Sequence, residues 1–171
     1  MRYLIIAVCV VMVFLSNTAI AQELSVKQKQ YIHIYSQKYM GKYWRQWEKT
    51  MQAVMKVESN NCQKKVGELD ASFGCGQTKV GAVRTAAKFW SIPIPQDDEK
   101  IIWKLLRDDE FAIRFSVAYM GYLRKRLNDW DLAVISYNLG EGRVIGLLKK
   151  GDGLPQDYID KVKREMGRHG K

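Results

Sequence analysis

Glu58 is the residue best placed, by type and spacing, to move a proton. It closes a run in which Trp44, Trp47, Met51, Val54 and Met55 recur at spacings of three and four, and Asn60-Asn61 follow directly. That spacing marks a helix with one apolar face. A carboxyl at the end of such a helix, against an irregular loop, is partly withdrawn from water. Desolvation raises its pKa and lets it donate a proton near neutral pH, which is what a glycosidase asks of its acid. A solvated glutamate at a helix end has the same spacing, and spacing alone does not separate the two. Asp70 is the candidate for a second carboxylate near the glycine-rich stretch that follows, and it reads as a structural or solvated loop residue. No metal and no cofactor are expected. His33 and His169 are far apart, there is no Cys/His cluster, and no glycine-rich phosphate loop is present.

The elements that must position Glu58 read as helices almost throughout. A Gln/Lys-rich amphipathic helix is expected over 25–39, and the helix ending at Glu58 follows it. Residues 60–78 hold Asn60, Asn61, Gly67, Gly74 and Gly76, so they read as a long irregular loop with room for a short hairpin. Further helices are expected over 80–89, from the acidic turn at Asp97-Asp98-Glu99 to Leu106, and from Asp108 through the apolar run Phe111 to Tyr122. That last helix is apolar on most sides, so it belongs at the centre of the core. Asp129 is a candidate cap for a helix over 130–138. Gly140-Glu141-Gly142 turns the chain, a helix follows over 143–149, and Pro155 opens the last one, to Met166. The expected class is all-α: seven or eight short helices packed in a compact domain with one long loop.

The chain as a whole sets the setting. Met1-Arg2, the apolar run 4–15 and Ala19-Ile20-Ala21 form a secretory leader over 1–21, leaving 22–171 as one domain. The run is short for a membrane span, although an uncleaved signal anchor is the competing reading. Loss of the leader removes one base, Arg2, from the 28 Lys and Arg that stand against 18 Asp and Glu, and leaves a charge of +9. Such a balance suits a polyanionic partner, and it also suits plain solubility. Nucleic acid is disfavoured by the exported address and by the absence of any known binding motif. Cys62 and Cys75 survive cleavage, and an even cysteine count in an exported chain reads as a disulfide, with two free thiols as the alternative.

Four ordered blocks carry a resemblance. Residues 53–59, Ala-Val-Met-Lys-Val-Glu-Ser, resemble the helix end with the Glu-Ser pair of soluble lytic transglycosylases. Residues 72–77, Ser-Phe-Gly-Cys-Gly-Gln, are similar to that family's Gly-Leu-Met-Gln motif and its preceding serine. Residues 136–144, Ser-Tyr-Asn-Leu-Gly-Glu-Gly-Arg-Val, look like its Ala-Tyr-Asn-Ala-Gly-x-Gly-x-Val segment, and 154–162 resemble the closing segment with its tyrosine. The blocks span most of the mature domain.

The resemblance implies a lysozyme-like domain that cleaves the MurNAc-GlcNAc bond of peptidoglycan without water, leaving 1,6-anhydro ends. Glu58 would be the sole acid/base, where ordinary glycosidases use two carboxylates. Ser59, Ser72, Gln77, Tyr137, Asn138 and Tyr158 would form the substrate-binding set, with Ser59 supporting the helix end, Tyr137 walling the site or packing in the core, and Tyr158 bonding near Glu58. The family's Leu-Met is Cys75-Gly76 here. A sugar contact made by that methionine is therefore expected to be missing, and the two cysteines are read as a replacement brace for the loop bearing Gln77. The expected partner is the glycan strand, met by a monomer in the periplasm or at the cell wall, with no membrane span after cleavage. A secretion or conjugation machine is left open as a second partner. A goose-type lysozyme-like hydrolase and a non-catalytic peptidoglycan-binding module are the alternatives.

Overall fold

The computed structural model describes residues 22–67 and 71–168. The expected leader, Asp70 and His169 lie outside the described residues. The described chain is mostly helical: α1 (Val26–Met40), a short 3-10 turn (Gly41–Tyr43), α2 (Trp44–Ser59), β1 (Ser72–Phe73), β2 (Thr78–Lys79), α3 (Val80–Trp90), α4 (Asp98–Arg107), α5 (Asp109–Leu127), α6 (Trp130–Leu139), α7 (Glu141–Lys150) and α8 (Asp157–Arg168). The strands form one antiparallel hairpin pairing Ser72 with Lys79 and Phe73 with Thr78.

Local chemistry fixes most of these boundaries. Ser25 opens α1 with a capping box shared with Gln28, and the Asp97, Asp108 and Asp129 side chains accept from the first turns of α4, α5 and α6. Each such cap is worth about 1 kcal/mol. Asn60, Ser91, Asn128 and Gly151 end α2, α3, α5 and α7 in the left-handed conformation, which asparagine and glycine tolerate best. Two boundaries differ from the sequence reading: α8 begins at Asp157, two residues after Pro155, and the turn before α7 is shorter than expected. Gly140 alone makes the turn, and α7 already begins at Glu141.

The apolar helix α5 is the centre of the core, as its pattern demands. Ala112, Ile113, Phe115, Val117, Ala118, Met120 and Leu123 are buried, and α1, α3, α4 and α6 pack around it. α2 leans on α1 and α8, burying Trp47, Met51, Val54 and Met55. A helix apolar on nearly every side is stable only where neighbours cover every side. No described helix is long and apolar enough to cross a membrane.

Candidate functional site

α2 delivers Glu58 to the mouth of a cleft of about 230 Å³. Three consecutive residues after the helix, Asn60, Asn61 and Cys62, take positive φ, so the chain reverses sharply and the loop folds back over the helix end. Ser59 makes that return possible. Its hydroxyl donates to the Cys75 carbonyl at 2.6 Å and accepts from the Cys62 amide at 2.8 Å. Ser59 is fully buried and holds the loop from behind the cleft, which it does not line. Cys62 and Cys75 are bridged across a sequence separation of 13, which joins the same two strands of chain covalently.

The hairpin supplies one wall of the cleft. Gly74 turns it at φ +76, and a Cβ there would meet the Leu105 carbonyl oxygen at 2.5 Å. Gly76 is equally constrained. A Cβ at that position would lie 2.2 Å from Ser116 Oγ and 2.6 Å from the Tyr137 hydroxyl, both in the α5–α6 interior. The glycine is therefore a packing requirement, and a side chain there would be driven into α5, not toward a ligand. Gln77, with φ +48, lines the cleft while its amide is tied down. The Nε2 donates to the carbonyls of Gly74 (2.9 Å) and Lys64 (3.1 Å), and Oε1 accepts from Ser72 Oγ (3.1 Å). Ser72 and Gln77 thus brace each other at the cleft edge.

The opposite wall is helical. Tyr137 of α6 is almost wholly buried, and its hydroxyl donates to the Gly76 carbonyl at 2.8 Å. Thr78 and Ser116 hydroxyls, 2.8 Å apart, complete a buried polar cluster that locks α5, α6 and the hairpin together. Tyr137 packs in the core and also lines the cleft. Asn138, at the exposed end of α6, lines the cleft too, and its amide bonds no other described side chain or backbone group.

Tyr158 reaches in from α8. Its hydroxyl donates to Glu58 Oε1 at 2.6 Å, across 100 residues of sequence. Burial pushes the Tyr158 phenol well above its ordinary value, and the charge and hydrogen bond of Glu58 push it further. Burial, then the Glu58 charge, does the same to Tyr137. Both phenols therefore stay protonated, and Tyr158 stays a donor that orients the carboxyl. Hydrogen bonding to one oxygen removes the rotational freedom a proton-transfer group would otherwise lose on binding.

Among the lining residues that sequence reasoning missed, three carry polar side chains. Lys79 and Thr78 come from the second strand, and Tyr119 comes from α5. Tyr119 was hidden because its helix reads as core on every side. The available signal was a phenol, whose hydroxyl needs either a partner or solvent. It holds its proton up to about 12, chiefly through burial and secondly through the charge of Glu141. Glu58 is the one carboxylate among the described lining residues, and no described cluster of His, Cys, Asp or Glu could hold a metal ion. What this arrangement can do is bind a polar, ring-shaped ligand against Tyr119 and Asn138 and present a fixed, half-buried carboxyl to it. No family model, characterised protein or solved structure matches the chain.

Proposed function

We propose that the protein is a peptidoglycan lytic transglycosylase of lysozyme-like architecture, working on the glycan strand outside the cytoplasmic membrane. The observation that carries the reading is the Glu58–Tyr158 hydrogen bond at the mouth of a cleft lined by Gln77, Tyr137 and Asn138. The bond joins two of the sequence blocks that resemble the family, and the residues lining the cleft come from the other two. Ser59 and the disulfide tie the hairpin block to the end of α2.

In this reading Glu58 works twice. As an acid it protonates the oxygen between MurNAc C1 and GlcNAc, and the C1–O bond breaks with the electron pair leaving on that oxygen. As a carboxylate it then takes the proton from the MurNAc 6-hydroxyl while O6 attacks C1. The new C1–O6 bond closes the 1,6-anhydro ring, and the proton returns to Glu58. No water is consumed and a second carboxylate is not needed, whereas hydrolysis requires one to act on water or on C1. Tyr158 keeps the carboxyl aimed through both steps. Asn138 and Tyr119 offer mixed donors and acceptors to sugar hydroxyl and amide groups.

The test is mass spectrometry of muropeptides released from purified sacculi. Anhydro-terminated products are expected. Reducing ends would make the protein a goose-type hydrolase, and binding without release would make it a wall-binding module.

A further inference from the structure

We propose that the cleft continues beyond Tyr119 as an aromatic-floored valley that binds additional sugar units of the same strand, with Phe89 at its outer end. The inference rests on the reading of the cleft as a glycan groove. Tyr119 lines the cleft, and Tyr122 lies one turn further along α5, with the two rings 5.9 Å apart and within 19° of parallel. Phe89, on α3, meets Tyr122 at 5.3 Å and is 43% exposed. Glu141, at the head of α7, bounds the other side, accepting from the Tyr122 hydroxyl at 2.5 Å and from Arg126 at 3.1 Å. Ring contacts thus lead from the cleft-lining Tyr119 through Tyr122 to the exposed Phe89.

The rings are held in place before any ligand arrives. Glu141 fixes Tyr122. Trp90, adjacent to Phe89 and in edge contact with it at 4.9 Å, is anchored by its indole N–H to the Ala118 carbonyl at 2.9 Å. An ordered aromatic surface loses little conformational entropy on binding. Its chemistry suits a carbohydrate better than an apolar partner. Sugar rings offer C–H faces to aromatic surface and hydroxyls to their rims, and this valley places phenol hydroxyls and a carboxylate beside its rings. Lys125, whose Nζ lies 4.8 Å from the Trp90 ring centroid, adds a cation at the outer end, where peptide carboxylates on a wall strand would pass.

The experiment compares the affinities of three-sugar and six-sugar oligomers of N-acetylglucosamine, titrated by tryptophan fluorescence into Glu58→Gln protein so that nothing is cleaved. The longer oligomer should bind more tightly. Phe89→Ala should lower the six- to three-sugar affinity ratio by about three- to tenfold, the worth of one aromatic contact, and Phe89→Tyr should restore it. Phe89 is largely at the surface, and circular dichroism will confirm that the variants fold. A ratio unchanged in Phe89→Ala overturns the valley and leaves the glycan cleft standing. Failure of the Glu58→Gln protein to bind either oligomer overturns both.

Discussion

The two walls of the cleft are built on different principles. The helical wall, Tyr119 and Tyr137, rests on helices buried among other helices, and its position follows from the packing of α5 and α6. The hairpin wall has two two-residue strands and little core of its own. Beyond the Thr78, Ser116 and Tyr137 hydroxyls that tie it to α5 and α6, it is held by the disulfide, by the Ser59 hydroxyl and by the Gln77 amide, each a single side chain or bridge that one substitution removes. Glu58 sits where the walls meet. A site made this way has a rigid back and a front whose placement depends on a few directional contacts, so the two halves should answer differently to the same perturbation.

The largest effect is expected at the junction. Glu58→Gln keeps shape and can still accept from Tyr158, but it cannot carry the proton, so activity on sacculi should fall by about 10²- to 10⁴-fold. The thermal midpoint should stay near that of the unaltered protein. Residual activity within tenfold would place the chemistry elsewhere.

Removing the brace comes next. Replacing Cys62 and Cys75 together by serine should cost about 3 kcal/mol, the chain-entropy value for a loop of this size. Hydrogen exchange should accelerate in the hairpin and around Ser59 well before it does in α5 and α6. Uniform acceleration in both walls would mean that the walls are one cooperative unit.

Alkali should act on the helices instead. Tyr119, Tyr137 and Tyr158 hold their protons more tightly in the folded chain than the ordinary phenol value of about 10. Above that pH the native state binds more protons than the unfolded state, so this contribution to stability is complete below about pH 10 and is lost as pH rises through the folded values. The urea midpoint should therefore drop between pH 9 and pH 11 even with the disulfide intact. A flat midpoint would contradict the burial of these hydroxyls.

Smallest is the contrast between two amides. Asn138→Ala should lower catalytic efficiency about three- to tenfold, the loss of one neutral hydrogen bond, with no change in thermal midpoint. Gln77→Ala should lower the midpoint as well, because that amide spends its bonds on Lys64, Gly74 and Ser72. Identical behaviour in the two variants would erase the distinction between the walls.

The same division decides what the sequence discloses. Every helix follows from apolar spacing, acidic first turns and capping residues, because those signals are local. Glu58, Tyr137, Asn138 and Tyr158 were legible through the ordered blocks. The hairpin wall was legible as the block 72–77 with Ser72 and Gln77, inside an irregular stretch with two cysteines, but its geometry was not. Its geometry depends on Ser59 bonding a carbonyl 16 residues away and on Gln77 adopting a positive φ. Neither has a periodic signature. Tyr119 was lost for the opposite reason, since a strong core pattern masks a residue that also faces a cleft.

Gly76 has a consequence for how such a sequence changes over generations. Its missing side chain leaves the space that Ser116 and the Tyr137 hydroxyl fill, so the three positions are not free to drift separately. A larger residue at 76 arriving first would collide with both. The same change after Ser116→Gly would meet one neighbour fewer. Close neighbours of this kind depart from additivity by about 0.5–3 kcal/mol, enough to make the order of substitutions matter. A bulky residue at 76 therefore needs compensating changes at Ser116, 40 positions downstream, and at Tyr137.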